Sequence, residues 1–462
     1  MNVRSESTRR CAKCGNELSA AGRFCPSCGR AVASPSTGTW PVVPGRRVVV
    51  TGLAAITSLG ATAADTWRRI VAGKSGIRRV ADLDPTQHPC LVRGDVDDAT
   101  VPDRFLTGKT ARHTSRFARL AVEATGAALE DAGLLDPDGA PAISLDAGGA
   151  LLGTCVGGTY DDLIPVAEQF FQRGPGRVPP HLHVMFPHNL AGYAVQARFG
   201  LGGPSATVVT ACATGAQAIG EAFHTIKYGT APLMVAGAVE STRHPLFLAG
   251  FAAMRALVTD SNDAPDRASR PFDTSRAGFV LGEGVGILIL EELEHARTRG
   301  ARVYAEVLGF GSSNDAYHPI APHPDGVGAA RAIRAALEDG AVDPARVDHV
   351  NAHAASTPAG DLAEAKAIRA VFGDRAPRIP VTSIKGAIGH AMGAAGAIET
   401  VAAVMSLADG CIPPTRNLRE PDPAIGLDVV HGEARPAEIA VLTKHSFGLG
   451  GQNACLVLGR AD

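Results

Sequence analysis

No stretch of this 462-residue sequence approaches the roughly 18–20 uninterrupted apolar residues that would span a bilayer. The opening "MNVRSESTRR" also lacks the apolar core of a secretory leader, so the expectation is a cytoplasmic protein with no membrane association. Charge of one sign is missing as well. Lys and Arg number 44 against 46 Asp and Glu, a net charge of −2, which provides no molecule-wide field to attract nucleic acid. Aromatic residues are scarce at 5%. The nine cysteines do not form a disulfide framework: Cys90, Cys155, Cys212, Cys411 and Cys455 are scattered, as suits a reducing compartment.

The remaining four cysteines are grouped. Cys11, Cys14, Cys25 and Cys28 spell C-x2-C-x10-C-x2-C, with Gly15 and Gly29 directly after each pair. Two tight turns so placed aim four thiolates at one point, the pattern of a closed, structural zinc site. In so short a segment the metal would supply most of the folding energy. Unligated thiols or two disulfides are the alternatives. Residues 1–30 therefore read as a small zinc ribbon and 31–45, rich in Pro, Ser, Thr and Gly, as a linker. Arg4, Arg9, Arg10, Lys13, Arg23 and Arg30 make the ribbon locally basic, which fits an acidic partner or a solvated surface.

From Arg46 onward the texture changes. Apolar, β-branched runs such as "RRVVVTGLAAIT", "APLMVAGAV" and "VGILILEE" alternate with Ala-rich helical stretches such as "TSRFARLAVEATGAALEDAG". Continuous apolar strands between helices imply sheets covered on both faces, hence an α/β fold. In "SATVVTACATGAQAIGEAF" a strand runs into Cys212 just before a helix, a place where the helix dipole favours thiolate and a backbone N–H could serve an oxyanion hole. Taken alone, a cysteine among Ala and Val serves equally as a small core side chain. Three further stretches deliver chemistry to strand ends: His353 in "VNAHAASTP", Lys385 and His390 in "VTSIKGAIGHAMG", and the glycine-rich "KHSFGLGGQN", read as a loop before the last strand. A Cys, two His and a Lys on separate strand ends suit acyl transfer through a thioester.

These motifs, with "GLGGPSATVVTACATG" and "SRPFDTSRAGFVLGEGVGILILEE", resemble the elongating β-ketoacyl-acyl-carrier-protein synthases of type II fatty-acid and polyketide synthesis. The resemblance covers about nine-tenths of the chain. It implies a thiolase-like, five-layered αβαβα fold of two similar halves, 46–295 carrying the nucleophile and 296–462 carrying the histidines. Cys212 matches the acyl-accepting nucleophile, and His353 and His390 the pair that hydrogen-bonds the enolate of a malonyl thioester. Lys385 matches the lysine that holds this arrangement, and Glu364 the acid that pairs with it. The N–H groups of Cys212 and Leu449 match the oxyanion hole, with Leu449 at the gate; Thr357, Phe447, Gly448 and Gly450 match the substrate-binding loops.

The resemblance further implies substrates carried on phosphopantetheine, no redox cofactor, an acyl carrier protein as partner, and a homodimer or a heterodimer with a related subunit. Departures are Ala355 where the family has Thr, His445 where it has Asn and Leu449 where it has Phe. These departures and the ribbon suggest a specialised polyketide or fatty-acid pathway. A non-condensing partner or scaffold is the alternative, although the chain-length-factor relatives lack the cysteine retained here. Lys109, Arg112, Arg116 and Arg119, spaced for one helix face, are a candidate docking stripe for the acidic carrier or a solvated or subunit-facing surface.

Overall fold

The structure is a computed structural model that describes Arg9–Arg10, Glu17–Leu18 and residues 45–461 apart from 82 and 137. The chain forms two units, Met1–Gly45 and Arg46–Asp462. In the first, Arg9–Arg10 and Glu17–Leu18 pair antiparallel. Cys11, Cys14, Cys25, Cys28 and the linker up to residue 44 lie outside the described residues.

The second unit is built twice over. Its first half comprises β1 (Val48–Ile56), α1 (Arg116–Asp131), β2 (Gly149–Gly153), α2 (Leu190–Phe199), β3 (Ser205–Val208), α3 (Thr214–Lys227), β4 (Leu233–Glu240) and β5 (Gly284–Glu292). Its second comprises β6 (Ala305–Asn314), α4 (Val327–Asp339), β7 (His349–Asn351), α5 (Pro358–Phe372), β8 (Pro380–Thr382), α6 (Ala395–Asp409), β9 (Asp428–Val429), β10 (Val441–Gly448) and β11 (Gln452–Gly459). The strands lie in the order β3-β2-β4-β5-β1 in the first half and β8-β7-β10-β11-β6 in the second, with β9 added beside β8.

Numbered within each half, and setting β9 aside, both orders are third, second, fourth, fifth, first. In each, the second strand is parallel to its neighbours while the fifth is antiparallel to the fourth and the first. Three antiparallel pairs, Val50–Ala305, Val49–Glu306 and Val48–Val307, join β1 to β6 and make the hydrogen bonding continuous through eleven strands.

Helices α3 and α6 pack against strands of both halves, and their side chains share one core with β1, β4, β5, β6 and β11. Helices α1 and α2 cover the outer face of the first half, and α4 and α5 that of the second. The layers thus run helix, sheet, helix, sheet, helix. Burial on every side explains why α6 is apolar around its circumference. The segment Met392–Asp409 is long and apolar enough to cross a membrane, yet 83% of it is buried within the protein. Each Leu, Ile, Val or Phe buried in these layers contributes about 1.5–3 kcal/mol.

Where α3 and α6 meet, their second residues are glycines. A Cβ on Gly215 would fall 2.4 Å from the Ala397 nitrogen, and one on Gly396 2.6 Å from the Ala216 nitrogen. The contacts are reciprocal, so the two central helices start side by side. Four residues before each glycine the backbone takes a left-handed turn, at Ala211 (φ 48°) and Met392 (φ 48°). A non-glycine residue in that region stores about 1–3 kcal/mol of strain, held here by the surrounding layers.

Two sequence expectations need correction. "KHSFG" is not loop: Lys444–Gly448 completes β10, paired residue for residue with β11 from Lys444–Leu456 to Gly448–Gln452. The basic stripe is also broken, because helix Gly108–His113 ends at Thr114 and α1 begins afresh at Arg116. Arg112 and Arg119 are exposed, but the Arg116 guanidinium turns inward to Glu283 and Ser241 at 2.8 Å each, with Asp98 on its outer side. Glu283 is fully buried and needs that charge.

Candidate active site

Cys212 follows the strained turn at Ala211 and lies two residues before α3, at the strand-to-helix elbow expected from the sequence. Glu240, buried at the end of β4, fixes the surroundings of the elbow. Its carboxylate accepts hydrogen bonds from the N–H groups of Cys155 (2.8 Å), Val156 (3.2 Å) and Gly393 (3.0 Å) and from the Thr154 hydroxyl (2.8 Å). Gly448 closes over the elbow from β10. A Cβ there would stand 2.8 Å from the Cys212 nitrogen, so only glycine lets the two backbones approach this closely. The Leu449 N–H favours the Cys212 thiolate, and both residues line one cavity.

The helix dipole favours thiolate at this position, but burial acts the other way. Burial pushes the Cys212 thiol up to about 11, and the Lys385 charge and the Leu449 N–H pull it down without overcoming that burial. The group rests as a thiol and gives up its proton in the course of reaction.

Cys212 opens into a cavity of about 390 Å³ that is also lined by His353, His390, Phe251, Phe279, Ala355, Thr357, Phe447, Gly448 and Leu449. Each half delivers its part: the first supplies Cys212, Phe251 and Phe279, and the second supplies the others, from the segments that follow β7 and β8 and from the end of β10 and just beyond. The His353 and His390 rings meet edge to face with centroids 5.3 Å apart. The Nδ1 atoms of both are buried with no hydrogen-bond partner among the described residues. Burial first, then the charges of Lys385 and Lys444, holds both imidazoles well below the ordinary histidine range; His390 and His445 add to the effect on His353. Both rings are neutral at neutral pH, each with one nitrogen to donate and one to accept.

Thr357 caps α5, its hydroxyl oxygen accepting the Gly360 N–H at 3.2 Å, which leaves its proton free to face the cavity. Phe447 lies against His353 and His445. Gly450 does not line the cavity; with φ 74° it turns the chain, donating its N–H to the Pro319 carbonyl at 2.8 Å.

Behind the histidines lies a buried layer of charge. Lys385, 1% exposed, donates to the His353 carbonyl at 2.5 Å and fixes the loop that carries the ring. Its ionic partner is Glu399 of α6, not Glu364 as expected. Glu364 instead accepts the N–H groups of His353 at 2.9 Å and Ala354 at 2.7 Å, and it meets His445 Nδ1 at 3.1 Å. Those bonds outweigh burial and hold Glu364 below the usual carboxylate range. Lys444, fully buried on β10, reaches the second Glu399 oxygen at 2.7 Å.

Sequence reasoning missed Glu399, Lys444, Glu240 and Arg255, an exposed cation with φ 55° that lines the cavity. A signal for two of them was present. Glu399 is the one acid between Met392 and Leu407 in an otherwise apolar and small-residue helix, and Lys444 the one cation of its strand; a buried charge of either kind requires a partner. Among the described residues no three His, Cys, Asp or Glu side chains assemble into a metal site.

The β-ketoacyl synthase N-terminal domain matches residues 45–296, and the C-terminal domain of the same family matches residues 304–419. The 3-oxoacyl-[acyl-carrier-protein] synthase 2 of Coxiella burnetii is 42% identical over 422 residues, covering 90% of this chain and 99% of that protein. That of Synechocystis is 43% identical over 415 residues, covering 89% and 97%. Among solved structures, a β-ketoacyl synthase from Burkholderia phymatum superposes with a TM-score of 0.83 at 34% identity, over 90% of this chain and all of the other. A type II polyketide ketosynthase in complex with its acyl-carrier protein and bound to the hexaketide gives 0.82 at 32% identity, again over 90% and 100%. With a cysteine elbow and two neutral histidines opening into one cavity on this fold, the chain belongs to the β-ketoacyl synthase family.

Proposed function

We propose that the protein is a 3-oxoacyl-[acyl-carrier-protein] synthase, joining an acyl chain held on Cys212 to a malonyl unit with loss of CO2. The observation that carries this reading is that Cys212, Leu449 and both histidines line one cavity. The thiol of Cys212 attacks the thioester carbonyl of an acyl chain on the phosphopantetheine arm of a carrier protein. The carbon–sulfur bond to the arm breaks, and the thiol proton ends on the departing arm. During this exchange the Cys212 and Leu449 N–H groups hold the oxyanion; one such donor is worth about 10²–10³ in rate.

A malonyl thioester then enters. Loss of CO2 leaves an enolate whose oxygen accepts hydrogen bonds from His353 and His390. Its carbon attacks the acyl-Cys212 carbonyl, a carbon–carbon bond forms, and the sulfur leaves and takes up a proton. Neutral imidazoles suit this step. An imidazolium would bind the malonyl carboxylate in the ground state, where the charge still sits, and retard its loss.

The exposed Arg112 and the cavity-lining Arg255 support docking of an acidic carrier. The outer edge of β3, with exposed Val209 directly after it, supports a dimer, either of this chain or with a related subunit. We assign the two halves 46–295 and 296–462 as its domains, and cytoplasm as its location. Leu449 and Ala355 reshape the gate and the arm-binding loop, which supports a specialised polyketide or fatty-acid pathway. For the N-terminal cysteines the C-x2-C-x10-C-x2-C spacing supports a structural zinc, and one zinc per chain by elemental analysis, lost in Cys11→Ser/Cys14→Ser, is the expected result. The activity itself is tested with radiolabelled malonyl-carrier protein. Release of CO2 with formation of a β-ketoacyl thioester is expected, whereas a non-condensing scaffold would release none.

A further inference from the structure

The proposed reaction uses Cys212, His353, His390 and Lys385, yet the layer beneath them holds a second buried lysine. Lys444 is fully buried. Its ammonium is held by Glu399 Oε2 at 2.7 Å, by the Ser446 hydroxyl at 2.8 Å and by the His445 carbonyl. Completion of β10 through Gly448 places it there. Lys444 and Ser446 alternate along the strand onto the face toward α6, while His445 and Phe447 face α5 and the cavity. Its in-register neighbour on β7 is Asn351, whose buried amide has no hydrogen-bond partner among the described residues.

The charges of this layer come from four elements. Lys385 is on the turn after β8, Lys444 and His445 on β10, Glu399 on α6 and Glu364 on α5. Two lysines face two glutamates, so the set is balanced with His445 neutral. Remove Lys444 and it carries one uncompensated negative charge directly under the histidines. Facing His353 are Lys385, Lys444, His390 and His445, with Glu364 on its backbone; facing His390 are Lys385, Lys444 and the edge of Phe279.

We propose that Lys444 is a positioning residue for the condensation: clamped on Glu399, the same carboxylate that pairs with the Lys385 ammonium on the His353 carbonyl, it supplies a second fixed positive charge in the buried layer behind the two histidines. It touches no substrate and acts through the two rings. The inference rests on the reaction proposed above, but its test separates the two. Acyl loading of Cys212 needs the elbow and the N–H groups, whereas loss of CO2 needs the neutral imidazoles.

The test compares wild type, Lys444→Met and the charge-balanced Lys444→Met/Glu399→Gln, following Cys212 loading and malonyl-carrier decarboxylation separately from pH 5 to 9. In Lys444→Met the histidines regain protons at higher pH, so the acid limb of decarboxylation moves to higher pH. Loading stays within about threefold of wild type, and in the double variant the limb returns toward the wild-type position. A Lys444→Met enzyme that loads normally and keeps the wild-type acid limb overturns the proposal while leaving the condensing activity intact. Failure of loading in wild type instead removes the reaction itself. Should Lys444→Met not fold, NMR of imidazole-labelled wild type and Lys444→Gln decides. Ring titrations that move to higher pH in Lys444→Gln support the proposal, and titrations unchanged from wild type overturn it.

Discussion

Replacing Gly448 with alanine puts a carbon 2.8 Å from the Cys212 nitrogen, 3.2 Å from the Ala211 Cβ and 3.3 Å from the Ala213 nitrogen. The Gly448 backbone has φ −125° and ψ 166°, an extended conformation open to any residue, so the substitution carries no backbone penalty. Its whole effect is displacement. Ordinary contact begins near about 3.5 Å, and the elbow and the end of β10 must therefore separate by roughly 0.7 Å. Oxyanion donors act only at about 2.7–3.1 Å, so a shift of that size takes one of the two N–H groups out of reach. The expected loss is about 10²–10³ in the rate of Cys212 acylation, or about 2.7–4 kcal/mol. Rapid-quench intact-mass analysis of a single turnover with an acyl-carrier thioester measures it, with thermal melting to confirm the fold. Acylation within about threefold of wild type by a folded Gly448→Ala protein would refute the reasoning.

The resting state of Cys212 has its own signature. With its thiol pushed up to about 11, alkylation by iodoacetamide should climb about tenfold per pH unit from pH 7 to 10, and a plateau below pH 9 would show a lower value. Stability should fall in acid through His349. This residue is fully buried, has one ring nitrogen on the Pro380 carbonyl at 2.9 Å, and is lowered by burial from 6.5 to about 4. Above pH 6.5 neither folded nor unfolded chain holds the proton. Between 6.5 and about 4 only the unfolded chain does, so folding loses about 1.4 kcal/mol per pH unit, or about 3 kcal/mol in all. In His349→Gln that increment of the pH dependence should vanish from urea-unfolding curves, and an unchanged slope would contradict it. The broken basic stripe makes a paired prediction. Arg112→Glu should leave the melting temperature unchanged and raise KM for carrier protein. Arg116→Glu should destabilise the fold by about 3 kcal/mol or more, because it places a second carboxylate against buried Glu283. Equal effects of the two on stability would contradict the inward placement of Arg116.

The fold and the principal side chains were legible in the sequence for a shared reason. Strand runs such as "VVVTGLAAI" are buried on both faces, and Cys212, His353, Lys385 and His390 all stand at the ends of strands or just beyond. Partners across the molecule were not legible. By resemblance to the family, Glu364 on α5 is the acid expected to pair with Lys385. The acid that actually meets Lys385 is Glu399, brought over by α6 in the central layer. Sequence spacing shows which residues share an element and not which elements face each other. The same limit hid Lys444: a glycine-rich ending looked like loop, but β11 pairs with it and makes Lys444–Gly448 strand. Arg116 looked like surface because its helical spacing matched, while the break at Thr114 rotates it toward Glu283. The raised Cys212 thiol was not legible because burial, which outweighs the Lys385 charge and the Leu449 N–H, depends on the whole fold.

The central claim is that Cys212 carries the growing chain. Intact-mass analysis after incubation with a panel of acyl-carrier thioesters tests it most directly. The account predicts one acyl adduct per chain, mapped to Cys212 and absent from Cys212→Ala. An adduct that persists in Cys212→Ala, or none on the wild-type protein with any acyl group, would contradict it.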